Sequence, residues 1–319
     1  MALPPPAPQK LRGTGARKGR IVFERMCQNE LMSLHTSFRI GGPADLYAVA
    51  TSAQKLVELV SLARERGIPY LIIGRGANIL VADEGIRGLV IENRGQEICF
   101  EDAGGPDAVL YAESGALLGD LARESAQRGL GGLEWAVGIP GSVGGAIVGN
   151  AGAYGCYIGD VARKATVLAP DGTVRQLSAA EMGFGYRTSR FKGQAGKGGQ
   201  EVILSAEFTL HPEPAQSLAQ KMADYTRRRR TSQPKEPSAG SIFKRTKQYP
   251  AGFLIEQAGL KGARIGGAQI SSKHANFIVN LGEARAADVK ALIDLAQEQV
   301  REQFGVKLEP EIELIGEWS

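Results

Sequence analysis

Two glycine-rich stretches are best suited by residue type to hold a charged ligand. The longer runs from Gly129 to Gly155, GLGGLEWAVGIPGSVGGAIVGNAGAYG, with ten glycines, no lysine or arginine, and Glu134 as its one acid. Each glycine inside a helix or strand costs about 0.5–1 kcal/mol relative to alanine, so the composition argues against regular structure. It suits backbone laid close to a phosphate or a flat ring, where N–H groups meet the ligand with no Cβ in the way. A string of turns between core elements would have the same signature. The shorter stretch, Gly74-Arg75-Gly76-Ala77-Asn78-Ile79, follows the apolar strand pattern Tyr70–Ile73. Its amides could hold a pyrophosphate or close a tight hairpin. It fails GxGxxG, because the third glycine would fall on Ile79, and strand pattern follows it where a long helix would be needed. A Rossmann unit is therefore disfavoured.

The remaining candidates are side chains. Near the end of the chain Val306, Leu308, Ile312 and Leu314 alternate with Lys307, Glu309, Glu311 and Glu313, the pattern of a strand with one acidic face. Such a face is ordinarily solvated, but carboxylates side by side raise one another's pKa. Arg227–Arg230 closes a helical pattern, where cations suit the dipole. Ser241 follows Gly240 in a position typical of a cap. Lys244, Lys273, His274 and Asn276 are polar residues of loop segments, and lone surface lysines are ordinarily just solvated.

Several classes of function are disfavoured. A net charge of +4 and 6% aromatic residues argue against nucleic-acid binding. Cys27, Cys99 and Cys156 are far apart and form no CxxC, and His35, His211 and His274 make no ligand pair, so neither disulfide nor zinc site is expected. Gly193–Gly199 does not match a P-loop. No apolar run is long enough to span a bilayer, and residues 1–20 are basic without an apolar segment. A disordered tail and a cytoplasmic protein without membrane insertion are expected.

These residues need elements to position them. Order is expected from about Ile21. Phe38–Pro43 reads as a short strand and turn, and Ala44–Ala50 as a strand. Thr51–Arg66 reads as a helix opened by a Thr51/Gln54 capping box and stopped by Gly67. Hairpins are expected at Ile98–Phe100 with Val109–Ala112, and at Val161–Leu168 with Thr173–Leu177. Leu117 to Ser125, Ala215 onward, Ala251–Ala258 and Ala286–Phe304 read as helices, and Val202–Leu210 as a strand. His211-Pro212-Glu213-Pro214 is the best domain boundary.

Taken together, the motifs resemble one family. GIPGSVGGAIVGNAGAYG is similar to the flavin-binding segment of the UDP-N-acetylenolpyruvoylglucosamine reductases. HTSFRIGG, LIIGRGANILV, GYRTSRF, AGSIFKR, SSKHANFIVN and LEPEIELIG follow in the family's order and spacing, from about Ile21 to Gly316. The resemblance implies an α+β fold. A two-subdomain FAD-binding domain of the vanillyl-alcohol-oxidase/cresol-methylhydroxylase type (21–212) would carry a smaller C-terminal α+β substrate domain (213–319). With only 29 residues between His211 and Ser241, the chain resembles the shorter variety, which lacks a substrate-domain loop bearing a gating tyrosine. It departs from the family at His35, where Asn is frequent, and at Arg245-Thr246, where Asn-Pro or Arg-Pro is common.

The resemblance also implies the chemistry. Non-covalent FAD would pass hydride from NADPH to C3 of the enolpyruvyl ether of UDP-N-acetylglucosamine, with a proton reaching C2 to give UDP-N-acetylmuramate. Ser241 would be the general acid. Arg187 would pair with the substrate carboxylate. Glu311 would hydrogen-bond the enol form as a protonated or proton-sharing carboxyl. For FAD it implies Gly74, Arg75, Gly76, Ala77, Asn78 and Ile79 at the pyrophosphate. Ile139, Pro140, Gly141, Ser142, Gly144, Gly145, Asn150 and Gly152 would contact ribose, phosphate or flavin ring. Arg229, the expected anion-binding member of its run, would join Lys244, Lys273, His274 and Asn276 on the substrate side. No metal is implied, and the enzyme is expected to be a monomer with an active site at the domain junction. An oxidase of the same FAD fold, or a nucleotide-sugar-binding protein without catalysis, are the competing readings.

Overall fold

The computed structural model describes residues 26–102, 107–194 and 199–318. The expected tail and the proposed onset of order near Ile21 lie outside these residues, as does most of the Gly193–Gly199 loop.

The chain opens with a mixed sheet of four strands, β1 (Cys27–Leu31), β2 (Pro43–Ala50), β3 (Tyr70–Ile73) and β5 (Ile86–Asn93), ordered β1-β2-β5-β3. A short strand, β4 (Ile79–Val81), leaves this sheet after the first glycine turn. β2 and β3 both run parallel to β5, which requires a crossover, and helix α1 (Ala53–Glu65) supplies it. Leu56, Leu59, Val60 and Ala63 bury the helix's apolar stripe on the sheet. The N-cap is Ser52, whose hydroxyl accepts from the Lys55 amide, one residue later than the expected capping box. Phe38–Gly42 is not a strand. Arg39 adopts φ +55°, and Thr36 Oγ1 closes the turn on the Ile40 carbonyl, which drops Phe38 and Ile40 into the core as plugs.

A second, antiparallel sheet follows, ordered β12-β11-β13-β7-β6. Its strands are β6 (Ile98–Asp102), β7 (Ala108–Glu113), β11 (Ala162–Leu168), β12 (Val174–Ser178) and β13 (Val202–Pro212). β8 (Leu130–Gly131) pairs with the end of β13, and β9 (Gly152–Ala153) pairs with β10 (Cys156–Tyr157). Both hairpins stand where alternation and turn residues place them. Helix α2 (Leu118–Gln127) buries Leu118, Leu121 and Ala122 in one core cluster with Leu110, Ala112 and Phe208 of this sheet.

The long glycine stretch contains a helix that composition argued against. In α3 (Val143–Gly149), Val143, Ala146 and Ile147 are buried at helical spacing, Ser142 is the N-cap, and Asn150 ends the helix at φ +44°. Gly144 explains part of the glycine. Its amide donates to the Ser114 carbonyl at 2.7 Å, and a Cβ there would stand 3.1 Å from that oxygen. Close approach of helix to strand, and not only to a ligand, selects glycine here.

The last third comprises α4 (Ala215–Ser232), α5 (Ala251–Gln257), the hairpin-linked β14 (Arg264–Ile265), β15 (Ala268–Ile270) and β16 (Ile278–Asn280), α6 (Ala286–Phe304) and β17 (Glu313–Ile315). The alternating tail forms only this short strand, parallel to β4 in register Glu313 to Ile79. Leu308 and Ile312 are buried, while Leu314 is exposed. One core cluster joins Phe38, Ile40 and Leu80 to Ile242, Phe243, Leu254, Ile278, Leu292 and Leu308. The end of the chain is thereby packed against the first glycine turn.

Candidate active site

A cleft of about 450 Å³ opens between the two sheet regions. Arg75, the backbone of Gly138–Gly141, and His35–Ser37 line it, together with Glu92, Arg94 and Arg123. The two glycine stretches meet at its floor. A Cβ on Gly74 would fall 2.2 Å from Ser142 Oγ, and one on Gly76 (φ +58°) 2.3 Å from the His35 carbonyl oxygen. Gly141, by contrast, has open space around it but holds φ +139°. Arg75 is exposed, and among the described residues it has no carboxylate partner. Bare amides beside an unpaired guanidinium at the mouth of a cleft fit the phosphates of a dinucleotide.

Part of that lining is a cluster that sequence reading missed. Glu92 is buried and receives a bidentate pair from Arg94 at 2.7 and 2.8 Å, a hydrogen bond from Tyr47, and a contact from His35 Nδ1 at 2.9 Å. His35 Nε2 reaches Glu30 at 2.9 Å. Burial opposes ionisation of Glu92, but hydrogen bonds from Arg94 and Tyr47 outweigh it and hold the carboxyl below its ordinary range. His35 thus replaces the family's frequent Asn with a ring joined to two carboxylates.

Three segments bring the catalytic candidates together. Residues 241–244 form a ribbon between two others. Ser241 bridges Phe277 and Phe243 bridges Pro310. The Ile242 carbonyl accepts from the Glu311 amide at 2.7 Å, and the Lys244 amide donates to the Glu309 carbonyl at 2.9 Å. Ser241 and Glu311 are therefore on adjacent chains. Ser241 is half-buried, follows Gly240 at φ +81°, and its hydroxyl makes no hydrogen bond among the described residues, so it is not a side-chain cap.

Arg187 arrives from the turn after β12. Its φ is +54°, an uncommon and costly conformation for a long side chain, held by the reciprocal Gly185–Thr188 backbone pair. Its Nε stands 2.9 Å from Glu311 Oε1. That contact is an ion pair without an aligned hydrogen bond, and the buried Nε–H is left without an acceptor. A buried unsatisfied guanidinium donor is costly, and an anionic ligand would satisfy it.

Glu311 has its carboxyl raised above the ordinary range. Burial is the largest cause, and the Arg187, Lys192 and Lys244 cations pull it part of the way back. The acidic neighbours are not the cause that the strand pattern suggested. Glu313 is neutralised by Lys192 at 2.6 Å, and Glu309 faces Lys244 at 3.5 Å. Lys192 was missed, although it directly follows GYRTSRF.

Within the arginine run, Arg229 alone turns inward; Arg227, Arg228 and Arg230 are exposed. It lies over Gly138, whose added Cβ would meet its Cδ at 3.6 Å, and burial lowers its pKa. Among the described residues no carboxylate pairs with it, so the long glycine stretch borders a desolvated cation.

Other expected ligands have structural work. Asn276 is buried, and its amide accepts from the Phe243 N–H at 2.9 Å and donates to the Phe243 carbonyl at 2.8 Å, fixing the Ser241 ribbon. Asn150 donates to the Gly185 carbonyl at 2.9 Å and accepts from the Gly159 amide at 3.0 Å. Gly152 is glycine because Tyr157 would stand 2.3 Å from a Cβ. Lys273 Nζ donates to the Arg230 carbonyl at 2.6 Å. His274 Nδ1 accepts from the Asn276 amide at 3.2 Å, packs its ring edge-on to Phe277, and burial lowers its pKa. Lys244 is half-buried and faces the carboxylates. Ala77, Ile139 and Pro140 lie in the loops, Ile79 opens β4, and Gly145 lies in α3, where its amide donates to the Ser142 hydroxyl at 3.5 Å.

Comparison with known proteins places this geometry. Residues 233–315 match the model for the UDP-N-acetylenolpyruvoylglucosamine reductase C-terminal domain, and residues 44–178 match an FAD binding domain. The reductase of that name from Agathobacter rectalis is 46% identical over 303 residues, covering 92% of this chain and 95% of that one. Reductase 2 of Symbiobacterium thermophilum is 41% identical, over 98% and 97%. The solved reductase from Thermus caldophilus superposes with a TM-score of 0.76 at 35% identity, covering 91% of this chain and 99% of that one. The expected α+β fold with an FAD-binding domain stands. With both domain models matched and relatives above 40% identity along more than nine-tenths of its length, the chain belongs to the UDP-N-acetylenolpyruvoylglucosamine reductase family of flavoprotein oxidoreductases.

Proposed function

We propose that this enzyme reduces the enolpyruvyl ether of UDP-N-acetylglucosamine to UDP-N-acetylmuramate, a precursor of peptidoglycan, with NADPH as reductant. The observation that carries the reading is the buried Arg187 Nε–H without an acceptor, 2.9 Å from a Glu311 whose carboxyl is raised by burial. An enolpyruvyl carboxylate would satisfy that donor. FAD, when bound, supplies the relay of hydride from NADPH to the enolpyruvyl C3.

The protein's own residues do the rest. Arg187 holds the substrate carboxylate, into which negative charge spreads as C3 is reduced. Ser241, with no competing hydrogen bond among the described residues, gives its proton to C2. Glu311, neutral to higher pH than an ordinary carboxyl, donates a hydrogen bond to the enol form and then relaxes toward Arg187. Arg229 and the half-buried Lys244 offer cations to the nucleotide diphosphate. Residues 21–212 serve as the FAD-binding domain and 213–319 as the substrate domain, with the chemistry at their junction. Among the described residues no helix is long and apolar enough to cross a membrane.

An anaerobic spectral cycle tests the reading. The purified protein should be yellow, lose its flavin colour with NADPH, and regain it when the enolpyruvyl sugar nucleotide is added. Flavin that stays reduced with that substrate but reoxidises only with oxygen would make the protein an oxidase. A colourless protein that binds the sugar nucleotide would make it a binding protein.

A further inference from the structure

We infer that the first glycine turn positions the catalytic segments as well as holding the cofactor, through two side-chain tethers, Asn78 and Ser37. The inference rests on the function proposed above. Asn78 Nδ2 donates to the Glu311 carbonyl at 3.1 Å, and the Asn78 carbonyl accepts from the Glu313 amide at 3.0 Å. These bonds bracket Glu311 and begin the β4–β17 pairing. On the other side, Ser37 Oγ donates to the Ser238 carbonyl at 2.8 Å, three residues before Ser241, and approaches the Gly76 carbonyl at 3.3 Å. The Ser37 amide donates to the same Gly76 carbonyl at 3.1 Å.

The turn therefore holds the Glu311 strand directly, through Asn78 at a separation of 233 residues, and the lead-in to Ser241 by way of Ser37, which lies 201 residues from Ser238 in sequence. The Glu311 amide in turn bonds the Ile242 carbonyl, which closes a ring from turn to strand to ribbon and back through Ser37. A cofactor that fixes the turn fixes the spacing of acid and carboxyl with it. Asn78 and Ser37 are positioning residues. They touch no reacting atom, and they act by holding Glu311 and Ser241 at the distance the substrate needs.

Asn78→Ala and Ser37→Ala each cut one tether. Both variants are loaded with FAD to full occupancy before assay, because Asn78 stands at the expected pyrophosphate position and Ser37 lines the cleft. The rate of flavin reoxidation by the enolpyruvyl substrate should fall relative to the rate of reduction by NADPH by about three- to tenfold, the scale of one lost hydrogen bond. Hydrogen exchange of the Glu311 and Glu313 amides should accelerate in Asn78→Ala in the loaded protein, a readout independent of turnover. Equal slowing of both half-reactions, an unchanged ratio with unchanged exchange, or loss of flavin as the sole effect would overturn the inference. If Asn78→Ala does not fold, Ser37→Ala decides by the same rate ratio. Wild-type protein is the control that separates the two claims. If its flavin is not reoxidised by the substrate, the proposed function fails, while the exchange measurement still decides whether the tether exists.

Discussion

At the scale of residues, the site works by making groups incomplete. Arg187 is held at positive φ with a buried donor unmet, and Glu311 is buried beside it with its carboxyl raised. Lys192 limits that rise, both by its own charge and by neutralising Glu313 at 2.6 Å. A cation favours the ionised carboxyl, so Lys192→Gln removes a charge that lowers the Glu311 pKa and leaves Glu313 as a second, unneutralised anion that raises it. If the neutral form is active, substrate reduction declines as pH rises through the Glu311 pKa. The variant should shift that decline to higher pH, read from the pH profile of the substrate half-reaction; a shift to lower pH would contradict the assignment. Ser241, Arg187 and Glu311 were legible only because six motifs occur in order, since each residue alone has a blander meaning. The cause of the Glu311 shift was not legible. Alternating glutamates suggested like-charge repulsion, whereas lysines from other segments neutralise the neighbours and burial does the work. Asn276 and Asn150 show the converse. Their motif positions suggested ligands, and their side chains hold backbone.

At the scale of elements, periodicity placed α1, α2, α5 and α6 and both hairpins, because one buried stripe or face dictates each pattern, whereas α4 buries only Leu218. It failed where glycine is chosen for close contact. The run Val143–Gly149 is helical because Ser142 and Asn150 cap it and because its bare face lies against Ser114. It also failed at Phe38–Gly42, where apolar residues are plugs in a turn. Gly74 is the sharpest test of the packed glycine floor. A Cβ 2.2 Å from Ser142 Oγ would push the two glycine stretches apart. Gly74→Ala should reduce flavin content on purification at least about tenfold in retention, corresponding to about 1.4 kcal/mol or more. Full flavin occupancy in that variant would show that the two stretches do not need to touch.

At the scale of the whole molecule, the chain returns to where it began. Asp83, just after β4, accepts from the first amides of α6 at 2.8 and 3.0 Å, and Leu80 is fully buried in the core shared with the C-terminal third. The break between β13 and α4 was visible in sequence at His211-Pro212-Glu213-Pro214, but this return was not, since nothing local to Leu80 or Glu313 signals a parallel pairing across so long a separation. Leu80→Ala should cost about 2–5 kcal/mol and lower the thermal midpoint, because the cavity opens where both parts share one core. An unchanged midpoint would mean that the C-terminal third is held by its own contacts alone. The return also explains how Arg187, Ser241 and Glu311 come together from three distant segments, with Arg187 2.9 Å from Glu311 and the Glu311 amide bonded to the residue after Ser241. That convergence is the central claim, and Ser241→Ala tests it most directly. Followed by rapid mixing in two separate half-reactions, the variant should be reduced by NADPH at close to the wild-type rate, with flavin reoxidation by the enolpyruvyl substrate slowed by about 100-fold or more. Equal slowing of both half-reactions, or reoxidation at the wild-type rate, would contradict the role of Ser241 as proton donor.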